Sequence, residues 1–368
     1  MIWSLQKSFK VLAGVELITA LSSLNLKGEI LLISSSIFGR NGTVAQTIES
    51  LQSCNVQVYA KSITNPDLAQ IRDLALSFAN TRFDTIIALG GGSIIDTAKA
   101  LSVVLLEPDG LSALDCLSLG KEFQISGSIP IIAIPSTSGT GAECTQFATL
   151  WDLAEGKKYS LESPHLLPQQ IILDPQLTVT LPRAQTLYTG LDALSHATES
   201  LWNKNFNPLA KACAKEAIGS IVENLPTVLE QPKNLIARTE MQNASFLAGI
   251  AISQTKTAIA HAISYPLTYR YLVPHGLAAA FSIPALFRFL KSRASLDKDS
   301  YKSLKLSAKF IESLQLSNIM KTYLSQEELI SLVGEMANPQ RFANFILSVS
   351  ADELRGIVMD SYQDFQGK

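Results

Sequence analysis

An alternation that stops part-way along the chain is the feature that most limits how this sequence can fold. Short β-branched apolar runs occur at EILLIS (29–34), VQVYA (56–60), DTIIALG (84–90), IPIIAIP (129–135) and QQIILDP (169–175). Segments of helical period, such as TVAQTIESLQSC (43–54) and NPDLAQIRDLALSFAN (65–80), lie between them. Strands alternating with helices predict βαβ units and a parallel sheet. From about Leu181 the strand signals cease. PLAKACAKEAIGSIVENLPTVLEQ (208–231), LIARTEMQNASFLAGIAISQTKTAIAHAIS (235–264) and the chain after Asp297 read as helices. The expectation is an α/β domain over residues 1–180 and an all-helical domain over 181–368.

Composition narrows the setting. The chain has 368 residues, of which 47% are hydrophobic, enough for two large cores. A net charge of −2 without long runs of either sign argues against nucleic acid or an anionic membrane as partner. No apolar stretch of about 18 residues is present, so no membrane span is expected. The opening MIWSLQKSFK lacks the apolar run of a signal peptide. Four cysteines, Cys54, Cys116, Cys144 and Cys213, lie far apart with no CxxC pair. They read as reduced thiols, and the expected location is cytoplasmic.

Two loops suit phosphate. ALGGGSIIDTAKA (88–100) joins an apolar strand to a helix expected to begin near Ser93. Its glycines allow close backbone approach, and the helix start presents free N–H groups to an anion. It is not GxGxxG, and a flexible turn would look the same. A second stretch, IPSTSGTGAEC (134–144), adds hydroxyls and glycines after another strand. Two such loops in one sheet favour a dinucleotide, making the first half a dinucleotide-binding domain.

The chain has four histidines, His165, His196, His261 and His275. Asp192 and His196 in TGLDALSHATES share one helix face. That pair alone suits a salt bridge, an acid–base pair or half a metal site, and a structural pair is the commoner outcome. His261 and His275, the latter held in the turn VPHG, change the balance. One carboxylate and three imidazoles suit a divalent ion such as Fe²⁺ or Zn²⁺. His165 has no such neighbours and reads as a surface or hinge residue.

Together GGGSIIDTAKA, IPSTSGTGAE, TGLDALSHATES and the paired HAIS and VPHG resemble the iron-containing (group III) alcohol dehydrogenases. NPD (65–67), KKYS (157–160) and LDPQLTVTLP (173–182) fit the same pattern. The resemblance implies the dehydroquinate synthase-like fold, with a parallel-sheet dinucleotide-binding domain and an all-α domain. It implies Fe²⁺, Zn²⁺ or another divalent ion on Asp192, His196, His261 and His275. It places NAD(P)H on Asn65, Gly91, Gly92, Ser93, Asp96, Ser136, Thr137, Thr140, Thr145 and Lys158. It also implies a homodimer or larger homo-oligomer.

This chain departs from the family pattern at two positions. Ser35 stands where an aspartate often contacts the adenosine ribose, so NADP(H) is not excluded, and Arg40 could assist it. Tyr265 stands where many members carry a further histidine, and it could line the proton route. SQTKTAIAHAISYPLT (253–268) resembles the subgroup that reduces phosphonoacetaldehyde to 2-hydroxyethylphosphonate. A phosphonate dianion needs cationic and hydroxyl donors near the metal, which Lys256, Thr255, Thr257 and Arg270 could supply, although Lys256 equally suits a solvated helix position. The alternatives are a general alcohol, aldehyde or glycerol dehydrogenase, a lyase like 3-dehydroquinate synthase, and a non-catalytic nucleotide-binding protein.

Overall fold

A computed structural model of the chain describes residues 9–106, 110–121 and 123–363. It divides into two compact units. One comprises the described part of Met1–Thr137 together with Ala142–Val179, and the other Ser138–Gly141 together with the described part of Thr180–Lys368.

The first unit is built on eight strands: β1 (Lys10–Ala13), β2 (Gly28–Ser34), β3 (Cys54–Ala60), β4 (Thr85–Gly90), β5 (Ile131–Pro135), β6 (Phe147–Asp152), β7 (Lys157–Glu162) and β8 (Gln170–Leu173). Six of them form one sheet in the order β1-β8-β5-β4-β2-β3, parallel throughout. The central strands are buried on both faces, which is why their sequences are continuous apolar runs rather than alternating ones. Leu31, Ile33, Ile86 and Ala88 pack on one side, and Ile30, Leu32, Ile87 and Leu89 on the other.

The chain moves from β2 outward to β3, then crosses back over β2 to β4, β5 and β8. The crossover makes the carboxyl ends of β2 and β4 a topological switch point, where open α/β sheets bind ligands. The strand ends are level there. Ser34 pairs with Leu89, and Gly90 with Pro135. The bond from Ser35 N to Leu89 O is 3.1 Å, and that from Ser136 N to Gly90 O is 2.9 Å.

Three strands fall outside the sequence expectation. β1 is a four-residue edge strand, and β6 and β7 form a separate antiparallel hairpin. Trp151 N donates to Pro66 O at 2.8 Å, and Leu153 N to Asp67 Oδ1 at 3.0 Å, so the NPD stretch anchors that hairpin.

The second unit is helical. Its core runs from Leu191 on the Arg183–Leu201 helix to Tyr362, through the helices Pro208–Glu230, Leu235–Thr255 and Ile259–Tyr271. The continuous helix expected over 235–264 is broken, because Lys256 takes φ 62° and ψ 167°. Pro266 does not end the second piece. That helix continues through it to Tyr271.

Candidate metal centre

The Arg183–Leu201 helix is buried along most of its length, including its polar residues Asp192, His196 and Glu199. Offsets of four and seven residues put all three on one stripe. The Ile259–Tyr271 helix brings His261 and, one turn later, Tyr265. His275 opens the His275–Phe281 helix directly after Pro274.

The three imidazoles converge on one oxygen. Asp192 Oδ1 lies 3.6 Å from His196 Nε2, 3.6 Å from His261 Nε2 and 3.9 Å from His275 Nε2. These distances are too long for hydrogen bonds. They are close to the separation of ligand atoms around a shared ion, about 3.4 Å for a tetrahedron with bonds of about 2.1 Å. The ligand atoms of Asp192, His261 and His275 all lie within 4.8 Å of one another. His196 joins them through Asp192 and through its ring, stacked on His261 at 4.8 Å between centroids. Asp192 Oδ1 and His261 Nε2 are buried without a hydrogen-bond partner. Buried polar atoms are normally paired, so orphans aimed at a common point fit a divalent cation. His275 is the exposed member, with 36% of its side chain accessible, and the Tyr265 ring lies parallel to it at 6.4 Å.

Without an ion, the buried carboxylates and imidazoles act on one another. Burial alone would raise the Asp192 carboxyl, but the imidazoles around it, His196 foremost, hold it well below the usual carboxylate range. Burial alone would lower His261, yet Glu199, then Asp192, push it up to about 9, so an ion arriving at Nε2 displaces a proton. Burial lowers His196, a shift toward the neutral imidazole that a ligand requires.

Glu199 is a residue that sequence reasoning missed. It is 0% exposed, and its Oε2 is 2.7 Å from His261 Nδ1. Its position seven residues after Asp192 was the available signal.

At the switch point the expected nucleotide residues gather only in part. Ser35, Gly91, Gly92, Ser93, Ser136 and Thr137 lie at or just beyond the carboxyl ends of β2, β4 and β5. A Cβ on Gly90 would meet Ile94 Cγ1 at 2.6 Å and Ser35 Oγ at 2.8 Å, so glycine keeps the end of β4 clear for both. Ser36 Oγ is 2.7 Å from Ser62 Oγ and accepts from Arg40 Nη1 at 3.1 Å. Asn65 takes φ 54°, and Lys158 lies over the Trp151 ring at 5.8 Å. Thr140 falls in the second unit.

Two of these residues turn inward. Asp96 accepts from Thr149 N at 3.0 Å, tying its helix to β6. Thr145 is 2% exposed, and its hydroxyl accepts from Lys99 Nζ at 2.9 Å. Lys99, wholly buried and also missed, donates to Ala142 O, Thr145 O and Phe147 O as well. It thereby fixes the loop that follows β5.

The expected phosphonate anchors separate. Lys256 is exposed at the helix break. Thr257 is 8% exposed. Thr255 is fully buried, with its hydroxyl held by Ser200 Oγ at 3.0 Å and Ala251 O at 3.2 Å, so it is not available to a ligand. Arg270 is corrected outright. It lies nine residues after His261, half a turn round the helix, and its Nε donates to Glu335 Oε2 at 2.7 Å on the surface. His165 is half-buried and belongs to the first unit, whereas His196, His261 and His275 belong to the second.

Comparison with known proteins decides the family. Residues 9–175 match the family described as "Iron-containing alcohol dehydrogenase", and residues 186–358 match "Fe-containing alcohol dehydrogenase family, C-terminal". Long-chain-alcohol dehydrogenase 1 of Geobacillus thermodenitrificans is 33% identical over 339 residues, 91% of this chain and 83% of that protein. This chain belongs to the iron-containing alcohol dehydrogenase family. It is therefore an oxidoreductase of the alcohol dehydrogenase class. Phosphonoacetaldehyde reductase of Streptomyces viridochromogenes is 35% identical over 233 residues, 61% of this chain and 58% of that protein. The crystal structure of sulfoacetaldehyde reductase from Bifidobacterium kashiwanohense in complex with NAD⁺ superposes with a TM-score of 0.86 at 26% identity, covering 98% of this chain and 99% of that one. The fold class is that of this family. Among the described residues no helix is long and apolar enough to cross a membrane, and the four cysteines are free.

Proposed function

We propose that this dehydrogenase reduces a small anionic aldehyde to a primary alcohol with NAD(P)H, and that the aldehyde is phosphonoacetaldehyde. The convergence of three imidazole Nε2 atoms on one Asp192 oxygen is the observation behind the reaction type. Asp192, His196, His261 and His275 would hold the ion. Bound there, Fe²⁺ or Zn²⁺ supplies Lewis acidity toward the substrate oxygen, and the nicotinamide supplies hydride.

The protein's own groups prepare that chemistry. Asp192 stays ionised within the cluster, and Glu199 holds His261 by its far ring nitrogen. Tyr265, its ring parallel to that of the half-buried His275, is the side chain that would carry a proton to the product oxygen. The loops at the switch point take the dinucleotide, with the glycines against its pyrophosphate. No carboxylate follows β2, and Ser36, Ser62 and Arg40 offer donors there, so NADPH is accepted.

Lys256 is the group that favours an anion. It is the cation on the exposed turn five residues before His261. Two of the relatives act, by name, on two-carbon aldehydes bearing a tetrahedral oxyanion, one a phosphonate and one a sulfonate. The second reading is therefore sulfoacetaldehyde, and a general alcohol or aldehyde dehydrogenase is the fallback. The enzyme is taken to work in the cytoplasm as a homodimer or larger assembly. The test is a panel of phosphonoacetaldehyde, sulfoacetaldehyde and neutral aldehydes, assayed with NADH and NADPH after loading with Fe²⁺ or Zn²⁺. A clear preference for neutral aldehydes would remove the anionic assignment.

A further inference from the structure

A buried carboxylate stands behind the histidine cluster and takes up four N–H groups. Glu199 Oε2 accepts from Ala258 N at 2.9 Å and from His261 Nδ1 at 2.7 Å. Its Oε1 accepts from Ala260 N at 2.6 Å and His261 N at 3.3 Å. The Ile259–Tyr271 helix opens on Ala258, whose side chain cannot cap it. The first N–H groups of a helix need acceptors from elsewhere, ordinarily from a residue at its own start. Here a carboxylate from another helix supplies them, and the same carboxylate meets the ring.

The junction before His261 is held from the same side. Asn203 Nδ2 donates to Lys256 O at 2.9 Å, Asn205 Nδ2 to Thr255 O at 3.2 Å, and Asn344 Nδ2 to Thr257 O at 2.7 Å. Lys256 sits in a backbone region used almost only by glycine. Such a conformation persists only where its surroundings over-determine it. The position of His261 is thus set by groups at and beyond the end of the Arg183–Leu201 helix, not by continuity with the helix before it.

We propose that Glu199 is a positioning residue that keeps the proton of His261 on Nδ1, leaving Nε2 as the atom presented to the ion. An ionised carboxylate accepts only, so Nδ1 must donate to it. His261 Nε2 is then aimed at Asp192 Oδ1, 3.6 Å away. Partners of this kind, one atom behind a ligating histidine, orient the ring and raise its basicity. The proposal rests on the reading of Asp192, His261 and His275 as metal ligands.

Glu199→Gln tests it, because an amide has one oxygen for the two that are used. Turned one way, its NH₂ faces the N–H groups of Ala260 and His261. Turned the other way, it faces Ala258 N–H and Nδ1. Zn²⁺ binding by the whole protein is measured by competition with a chromophoric chelator, and Nδ1 protonation of His261 by ¹⁵N NMR of Zn²⁺-loaded wild-type protein. The expected results are a protonated Nδ1 in wild type and a Zn²⁺ affinity about ten- to a hundredfold lower in Glu199→Gln. Wild-type affinity in a folded Glu199→Gln, or an unprotonated Nδ1 in wild type, overturns the proposal, and the second needs no variant to fold. Wild-type protein that binds no Zn²⁺ overturns the metal reading instead.

Discussion

Gly276 lies against the backbone of Tyr188. A Cβ at Gly276 would sit 1.8 Å from Tyr188 O and 2.9 Å from Asp192 N. The start of the His275–Phe281 helix therefore touches the backbone of the helix that carries Asp192, and this contact brings His275 beside the carboxylate. The obstacle is main chain, which cannot swing aside. Gly276→Ala is expected to push the two helices apart, lowering stability by about 1–3 kcal/mol or more and weakening Zn²⁺ binding. Thermal melts and chelator competition check both, and a variant unchanged in each would show that the contact does not set the site.

Removing any one ligand tests the cluster as a unit. Asp192→Ala, His196→Ala, His261→Ala and His275→Ala should each lower metal content, measured by elemental analysis, and abolish turnover. Circular dichroism should stay close to wild type, since the helices keep their apolar contacts. Chelator-treated wild type should lose activity and regain it with Fe²⁺ or Zn²⁺. Full turnover by metal-free protein would contradict the assignment.

Much of this was legible in the sequence, and the gaps have physical causes. Buried parallel strands announce themselves, because both faces must be apolar, as in Ile30–Ile33 and Ile86–Leu89. The edge strand Lys10–Ala13 has only four residues and no pattern to read. The helix break at Lys256 was invisible because the residues carry good helical period. The conformation is imposed by Asn203, Asn205 and Asn344, distant in sequence. Glu199 read as one more polar residue on a long helix, and its role depends on His261, 62 positions away. Arg270 looked like an anchor by composition, but helical phase turned it to Glu335.

The proposed acceptance of NADPH rests on Ser35. A carboxylate at the end of β2 would face a 2′-phosphate and repel it. Ser35→Asp is therefore expected to raise the KM for NADPH far more than that for NADH. Initial rates with the two cofactors decide the matter. A wild-type enzyme strictly selective for NADH would count against the role given to Ser35.

Buried Glu143 gives the folded protein a pH dependence. Burial raises its carboxyl from 4.5 to about 7, against a smaller pull from its own backbone N–H and Lys99. The folded chain thus holds this proton more tightly than the unfolded chain does. The contribution to stability is fully present below about 4.5 and is lost as pH rises through about 7. Its size is on the order of 3 kcal/mol. Glu143→Gln lacks the titration, so its melting temperature should gain on wild type between about pH 5 and about pH 8. A constant difference across that range would show that Glu143 is not held protonated.

Lys256 carries the substrate assignment, and its test separates charge from structure. Its backbone conformation costs the same whether the side chain is lysine or alanine, since both carry a Cβ. Lys256→Ala therefore removes the ammonium without changing the strain at φ 62°. A charge-assisted hydrogen bond to a phosphonate or sulfonate is worth about 1.5–3 kcal/mol. The expected loss in kcat/KM for an anionic two-carbon aldehyde is about tenfold to a hundredfold. A neutral aldehyde of similar length should be barely affected, because it has no group for the ammonium to meet. Measured on one preparation, the ratio of the two losses cancels any general damage to the fold or the metal site. Equal losses on both substrates would make Lys256 a structural residue and return the enzyme to the neutral aldehydes of its wider family.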